Sequence, residues 1–174
     1  MNGRIIGIFL AAVGLVAGGA MYWLQVYAYY HEVRLATDGG TVKLQATRAD
    51  GTAADLQVSE FRGIDADSSP IRFRACFLTT AAQNGFALYP NARPLVAPRW
   101  FDCFDAPTIG ADLEAGRAVA VLGEENITYG IDRVIALYPD GRAFAWHQIN
   151  ACGEVVFDGD PPPEGCPPVP ERLQ

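Results

Sequence analysis

Residues 131–149, IDRVIALYPDGRAFAWHQI, decide the fold. Two runs, 131–138 and 142–149, flank Pro139-Asp140-Gly141. Proline presets φ, aspartate bonds its own backbone, and glycine accepts positive φ, so the triplet marks a hairpin turn. The runs themselves are rich in β-branched and aromatic side chains, which suit a pleated surface. An antiparallel pair is the expected result.

Working outward, residues 118–122 (AVAVL) read as a short apolar strand. Residues 105–116 (DAPTIGADLEAG) read as a helix, with Asp105 as N-cap, Pro107 in the first turn and Gly116 in the left-handed closing position. In 71–78 (IRFRACFL) the apolar Ile71, Phe73, Ala75 and Phe77 alternate with Arg72, Arg74 and Cys76, as in a half-buried strand. Residues 41–47 (TVKLQAT), with Val42, Leu44 and Ala46 on one face, and residues 55–61 predict further strands, and 154–157 another. These elements predict an α+β domain, a mostly antiparallel sheet with one or two helices against it.

Twenty residues from Ile5 to Leu24 carry no charged side chain. As a helix at ~1.5 Å per residue they extend roughly 30 Å, the thickness of a bilayer's hydrocarbon core. A cleaved signal peptide is the competing reading, with Arg4 as its basic end and Ala17-Gly18-Gly19-Ala20 as small residues for cleavage. The apolar run continues through Met21, Tyr22, Trp23 and Leu24, and Tyr27, Tyr29 and Tyr30 follow as interfacial rings, which favours a retained anchor. Gly3, Gly7, Ala11, Gly14 and Gly18 fall within about 80° of helical arc, a stripe that permits close helix–helix approach in lipid. Gly7, Ala11, Gly14 and Gly18 are the candidate packing residues, for a second copy or for the helix of another integral membrane protein.

The expected organisation is an anchor and interfacial segment at 1–33, an outside domain at 34–157 and a proline-rich tail at 158–174. Arg4 on the short side, with Glu32 and Asp38 diluting Arg34 on the other, leans toward a cytoplasmic N-terminus. Cys76, Cys103, Cys152 and Cys166 all follow the span, an even number suited to disulfides in an oxidising compartment such as a periplasm. The tail holds six of twelve prolines, and a cystine from Cys166 would staple it, most naturally to Cys152, leaving Cys76 for Cys103. Three connectivities remain open on sequence alone. The formal net charge of -7 argues against nucleic acid as a partner and against adhesion to anionic lipid headgroups.

Candidate ligand residues are few. Asp65-Ala66-Asp67-Ser68-Ser69 resembles the start of a calcium loop but lacks the glycine and distal glutamate of an EF-hand, and Asx turns use the same residues. Arg72 and Arg74 would pair with Asp65 and Asp67, or else form an anion site. His147 sits on a predicted strand, on the face of Ala145 and Ile149, where a hydrogen-bonded structural role is the ordinary one. Trp100, Phe101 and Phe104 surround Cys103, as around a buried cystine or on a docking surface. No catalytic motif, haem motif or metal-ligand spacing occurs, so no catalytic residue, cofactor or metal is assigned.

The stretches GGAMYWLQVYAYY (18–30), IDADSSPIRFRACF (64–77), WFDCFDAPTIGADL (100–113) and ENITYGIDRVIALYPDGRAFAWHQINACGEVVFDG (125–159) resemble an uncharacterised family of short alphaproteobacterial proteins. That resemblance covers nearly the whole chain and implies one N-terminal span in a Gram-negative inner membrane, with a single four-cysteine domain in the periplasm. It implies no activity. The functional expectation is a non-enzymatic accessory subunit or assembly factor of a larger inner-membrane complex, with a respiratory one among the candidates. A periplasmic ligand-binding or sensory domain is the alternative, and a periplasmic enzyme ranks below it.

Overall fold

The computed structural model describes residues 2–40 and 42–171. Residue 41, the first of the strand expected at 41–47, and residues 172–174 of the tail lie outside the described residues, as does Met1. Helix α1 (Gly3–Trp23) is apolar beyond Arg4, buries none of its residues, and continues as a π-helical turn at Leu24–Ala28. The combined 26-residue helix is long and apolar enough to cross a membrane, a property it shares with signal sequences.

Among the described residues eight strands follow: β1 (His31–Val33), β2 (Gln45–Thr47), β3 (Ala53–Asp55), β4 (Val58–Asp65), β5 (Arg74–Thr79), β6 (Val119–Thr128), β7 (Ile131–Leu137) and β8 (Arg142–Ile149). Six form one antiparallel sheet in the order β1-β4-β5-β8-β7-β6, while β2 and β3 make a separate small hairpin. Helix α2 (Ala106–Glu114) precedes β6, and α3 (Ala151–Val156) follows β8. The architecture is α+β, an N-terminal apolar helix followed by a mostly antiparallel sheet with a few helices and two disulfides.

The 131–149 hairpin is present, with Ile131 opposite Ile149 and Leu137 opposite Ala143, and Gly141 turns at φ 90°. It lies inside the sheet, buried on both faces. On one face Phe73, Phe77, Ile135, Leu137 and Ala145 pack beneath Leu35, Leu44 and Ala46. On the other, Ile64, Val134, Ala136 and Trp146 pack beneath Phe101, Phe104 and Ile109 of the α2 layer. Covering both faces makes β7 buried at every position. At ~25 cal/mol per Å² of apolar surface, a wholly buried side chain such as Trp146 is worth a few kcal/mol.

Local signals set the edges of these layers. Asp105 caps α2 by accepting from the Thr108 N–H at 3.2 Å, and Gly116 closes it at φ 70°. Tyr138 at the end of the hairpin donates to Asp112 at 2.7 Å and ties α2 to the sheet. The disulfides join Cys76 to Cys103 and Cys152 to Cys166. The first ties β5 to the loop before α2. The second holds the proline-rich tail, whose residues 160–170 form no helix or strand. Closing a loop of that length is worth about 3 kcal/mol in the chain-entropy account.

Of the strand expected at 41–47 only Gln45–Thr47 is a strand among the described residues, and four further expectations need correction. Residues 154–156 are helical and Phe157 is the C-cap, because the Asn150 side chain accepts from the N–H groups of Cys152 and Gly153 and so starts α3. Residues 55–61 are not one strand: the chain leaves β3 at Asp55, bonds Leu56 N–H to the Leu44 carbonyl, and enters the other sheet at Val58. The strand expected from Ile71 starts at Arg74, since Arg72 N–H closes a turn on the Ser69 carbonyl, and β5 is buried on both faces rather than one. The strand expected at 118–122 runs on to Thr128.

Helix α3 docks on the β6–β7 turn through two glycines in contact. A Cβ on Gly153 would overlap the Gly130 carbonyl, and one on Gly130 would stand 2.5 Å from the Gly153 Cα. Backbone on both sides leaves no flexible group to yield. Helix propensity alone would favour Gly153→Ala by up to about 1 kcal/mol. The opposite is expected here, a net loss of about 2 kcal/mol or more, read from urea unfolding of the unreduced full chain in mild detergent. A stabilised variant would show that α3 is not seated as described.

Candidate functional site

Two places bring chemistry-bearing side chains together. The first is a cleft of about 580 Å³ among the end of β4, the turn after it, the β6–β7 turn and β8. Its lining includes Asp65, Asp67, Ser69, Tyr129, Arg133 and His147. The second is the junction between α1 and the domain.

In the cleft, Arg133 on β7 and His147 on β8 are cross-strand partners. Arg133 Nε donates to His147 Nε2 at 3.3 Å, and its Nη1 donates to the Lys43 carbonyl at 2.8 Å. His147 Nδ1 lies 2.7 Å from the Pro70 carbonyl. A carbonyl only accepts, so the proton sits on Nδ1 and the Nε2 lone pair faces Arg133. Phe73 supplies the floor: its ring stacks with the imidazole at 4.7 Å, and the Arg133 guanidinium lies 4.7 Å from the same ring. Burial, and then the Arg133 charge, push the His147 pKa down to about 3. The ring is neutral with both nitrogens engaged, which makes it a poor general base near neutral pH.

Arg133 is itself buried, and desolvation draws its pKa down, while Glu124 at 3.7 Å offers partial compensation. Asp65 accepts from Ala66 N–H at 2.8 Å, and burial raises its pKa. The Tyr129 hydroxyl is buried and has no hydrogen-bond partner among the described residues. Behind the cleft, Asp132 accepts from Asn126 N–H at 2.9 Å, Asn150 Nδ2 at 2.7 Å and the Tyr89 hydroxyl at 3.1 Å. Asn126, the first residue of an Asn-Ile-Thr triplet, accepts from Gly130 N–H at 3.0 Å and from Asn150 Nδ2 at 3.1 Å, so its side chain is turned into the fold.

The expected pairing of Arg72 and Arg74 with Asp65 and Asp67 is not what the structure shows: among the described residues no ion pair joins them. Arg74 is buried and spends its donors on carbonyls, those of Leu95 at 2.7 Å, Ile71 at 2.8 Å and Phe73 at 2.6 Å. It is a clamp between β5 and the loop before α2, and burial lowers its pKa to about 10, still charged at neutral pH. Arg72 turns away toward α1, its guanidinium 5.4 Å from the Tyr30 ring. The cleft thus joins Asp65, Asp67 and His147 but neither arginine. Arg133 and Tyr129 complete it, and sequence reading missed both. Among the described residues no group of three or more His, Cys, Asp or Glu could hold a metal ion.

At the junction, the Trp100 indole N–H donates to the Val26 carbonyl at 2.7 Å. Val26 lies in the π-helical turn that ends the helix, where backbone carbonyls lack intrahelical donors. The Trp100 ring also packs against Tyr27 at 6.4 Å, Tyr30 at 6.0 Å and Phe101 at 6.3 Å. Phe101 and Phe104 are buried around the Cys76–Cys103 bridge. The aromatics near Cys103 are therefore mostly core, and Trp100 links that core to α1. Further up α1, a Cβ added at Gly3, Gly7, Gly14 or Gly18 would meet nothing within 4 Å, so the stripe is uncovered.

Fold and site together define a cystine-braced α+β domain carried on an N-terminal apolar helix. The chain belongs to the Family of unknown function (DUF6446), which matches residues 42–167 and so includes all four cysteines. No curated protein and no solved structure matches it.

The His147 geometry fixes a pH dependence. Its folded pKa lies below the ordinary 6.5, so between about pH 6.5 and 3 the unfolded chain binds a proton that the native one does not. The stability is fully present above pH 6.5 and is lost as pH falls, on the order of 1.4 kcal/mol per unit. Comparison of unfolding free energies at pH 6.5 and pH 5 should show His147→Gln losing less than the wild type. Equal losses would mean that His147 is solvated.

Proposed function

We infer that the protein is a bitopic, non-enzymatic accessory subunit or assembly factor of a larger membrane complex. Its helix is retained in a Gram-negative inner membrane, with the N-terminus in the cytoplasm and the domain in the periplasm of an alphaproteobacterium. A respiratory assembly is one candidate. The observation that carries this reading is α1, which buries no residue of its own, offers an uncovered small-residue stripe and is fixed to the folded domain at its base. Lipid tails are as apolar as leucine, so helices associate in a bilayer through close packing, and such a stripe supports it. Two disulfides, with no free cysteine among the described residues, fit an oxidising compartment. The engaged imidazole of His147 weighs against a histidine-based catalyst.

A second reading keeps the cleft as a ligand or sensory site, favoured by the unpartnered Tyr129 hydroxyl and the two aspartates beside it. A ligand bound only by the native state would raise stability, which a thermal shift series with calcium and small anions reads directly.

For the principal reading, the tagged full chain is purified in gentle detergent and its companions identified by mass spectrometry. The expected outcome is a stable companion protein or a defined homo-oligomer, weakened by Gly14→Leu with Gly18→Leu. A monodisperse monomer whose behaviour ignores both substitutions would contradict the proposal.

A further inference from the structure

A cavity of about 510 Å³ lies between the last turn of α1 and the loop that carries Trp100. Its walls include Tyr22, Tyr27, Tyr30 and Trp100, and its charged side chains are Arg72 and Arg99, with no carboxylate in the lining. In a chain of net charge -7, two cations without an acid mark a local reversal of field. Arg99 is exposed. Arg72 is half-buried, and among the described residues its side chain makes no hydrogen bond or ion pair, only the contact with the Tyr30 ring. A guanidinium withdrawn from water normally satisfies its donors on carboxylate, phosphate or carbonyl, as Arg74 does two positions along.

We propose that this cavity binds the phosphate of an anionic phospholipid headgroup through Arg72 and Arg99. Position chooses the source. The cavity opens where the apolar run ends, and tyrosine and tryptophan rings of this kind settle at headgroup depth. Guanidinium matches phosphate bidentately, and aromatic walls accept the glycerol and upper acyl carbons. The inference rests on the membrane anchorage inferred above.

The full chain in mild detergent, incubated with equimolar phosphatidylglycerol and phosphatidylcholine of matched acyl chains, is analysed by native mass spectrometry. Preferential retention of one phosphatidylglycerol per chain is expected, falling at least about tenfold in Arg72→Gln/Arg99→Gln, since each arginine supplies charge-assisted hydrogen bonds. Arg72→Lys/Arg99→Lys should retain an intermediate amount, keeping charge but losing the fork. If the double glutamine variant fails to fold, Arg99→Gln alone serves, because that side chain is exposed. Equal retention of the two lipids, or phosphatidylglycerol retention unchanged by the substitutions, overturns the proposal. A second arm adds millimolar inorganic phosphate. Displacement of the lipid by phosphate, with a thermal shift that the variants lose, would assign the site to free phosphate and overturn the lipid assignment. A chain that resists alkaline extraction yet shows no headgroup preference defeats this inference alone, whereas a mature chain lacking α1 defeats both.

Discussion

Everything proposed for this protein turns on one indole hydrogen bond, from Trp100 to the Val26 carbonyl, and on the rings around it. Without that contact α1 would be an apolar rod tethered by a few residues, free to swing. With it, the helix base joins the aromatic core around the Cys76–Cys103 bridge, and the position of the domain relative to the helix is fixed. The helix end makes this seam possible, because carbonyls of a last turn lack intrahelical donors, and the Val26 carbonyl takes the Trp100 indole N–H instead. The neutral hydrogen bond itself contributes only about 1 kcal/mol. Its importance lies in orientation, supported by the rings that exclude water from it.

The domain supports this seam by being closed on both faces. The 131–149 hairpin lies between the layer carrying Leu35, Leu44 and Ala46 and the α2 layer, so β5, β7 and β8 form the rigid centre. The buried cations serve that closure. Arg74 clamps the loop before α2 through the Leu95 carbonyl while bonding the Ile71 and Phe73 carbonyls of the segment leading into β5, and Arg133 reaches the opposite layer through the Lys43 carbonyl. Each is desolvated; oriented carbonyl dipoles hold Arg74, while the Lys43 carbonyl and Glu124 at 3.7 Å hold Arg133. His147 stays neutral to supply a lone pair to Arg133, a role that a protonated ring could not fill.

What the sequence revealed and what it hid divide along a physical line. The hairpin, the Asp105 cap, the Gly116 stop and the tail cystine were legible because their signals are local: turn chemistry, a capping side chain, a closing glycine, a cysteine among prolines. Two-faced burial of β5 was hidden because Arg72, Arg74 and Cys76 imitate a solvated face, whereas the carbonyl that accepts from Arg74 Nε lies at Leu95. The Trp100–Val26 bond was hidden for the same reason: backbone acceptors carry no residue signature, and 74 positions separate the partners. In the cleft, Asp65, Asp67 and His147 were nameable from residue type, while Arg133 and Tyr129 needed the register of β7 and the turn before it. At 154–157, Val155 and Val156 suggested a strand, but Asn150 capping and the Gly130–Gly153 contact select a helix.

Hydrogen–deuterium exchange on the unreduced full chain in micelles interrogates the seam most directly. Amides of residues 26–30 should be protected together with those of 99–103, and Trp100→Phe, which removes the indole donor, should speed exchange in both segments while leaving β7 and β8 slow. If residues 26–30 exchange like a free peptide in the wild type, or if Trp100→Phe alters neither segment, then helix and domain are merely joined end to end and the account of a fixed, anchored domain is wrong.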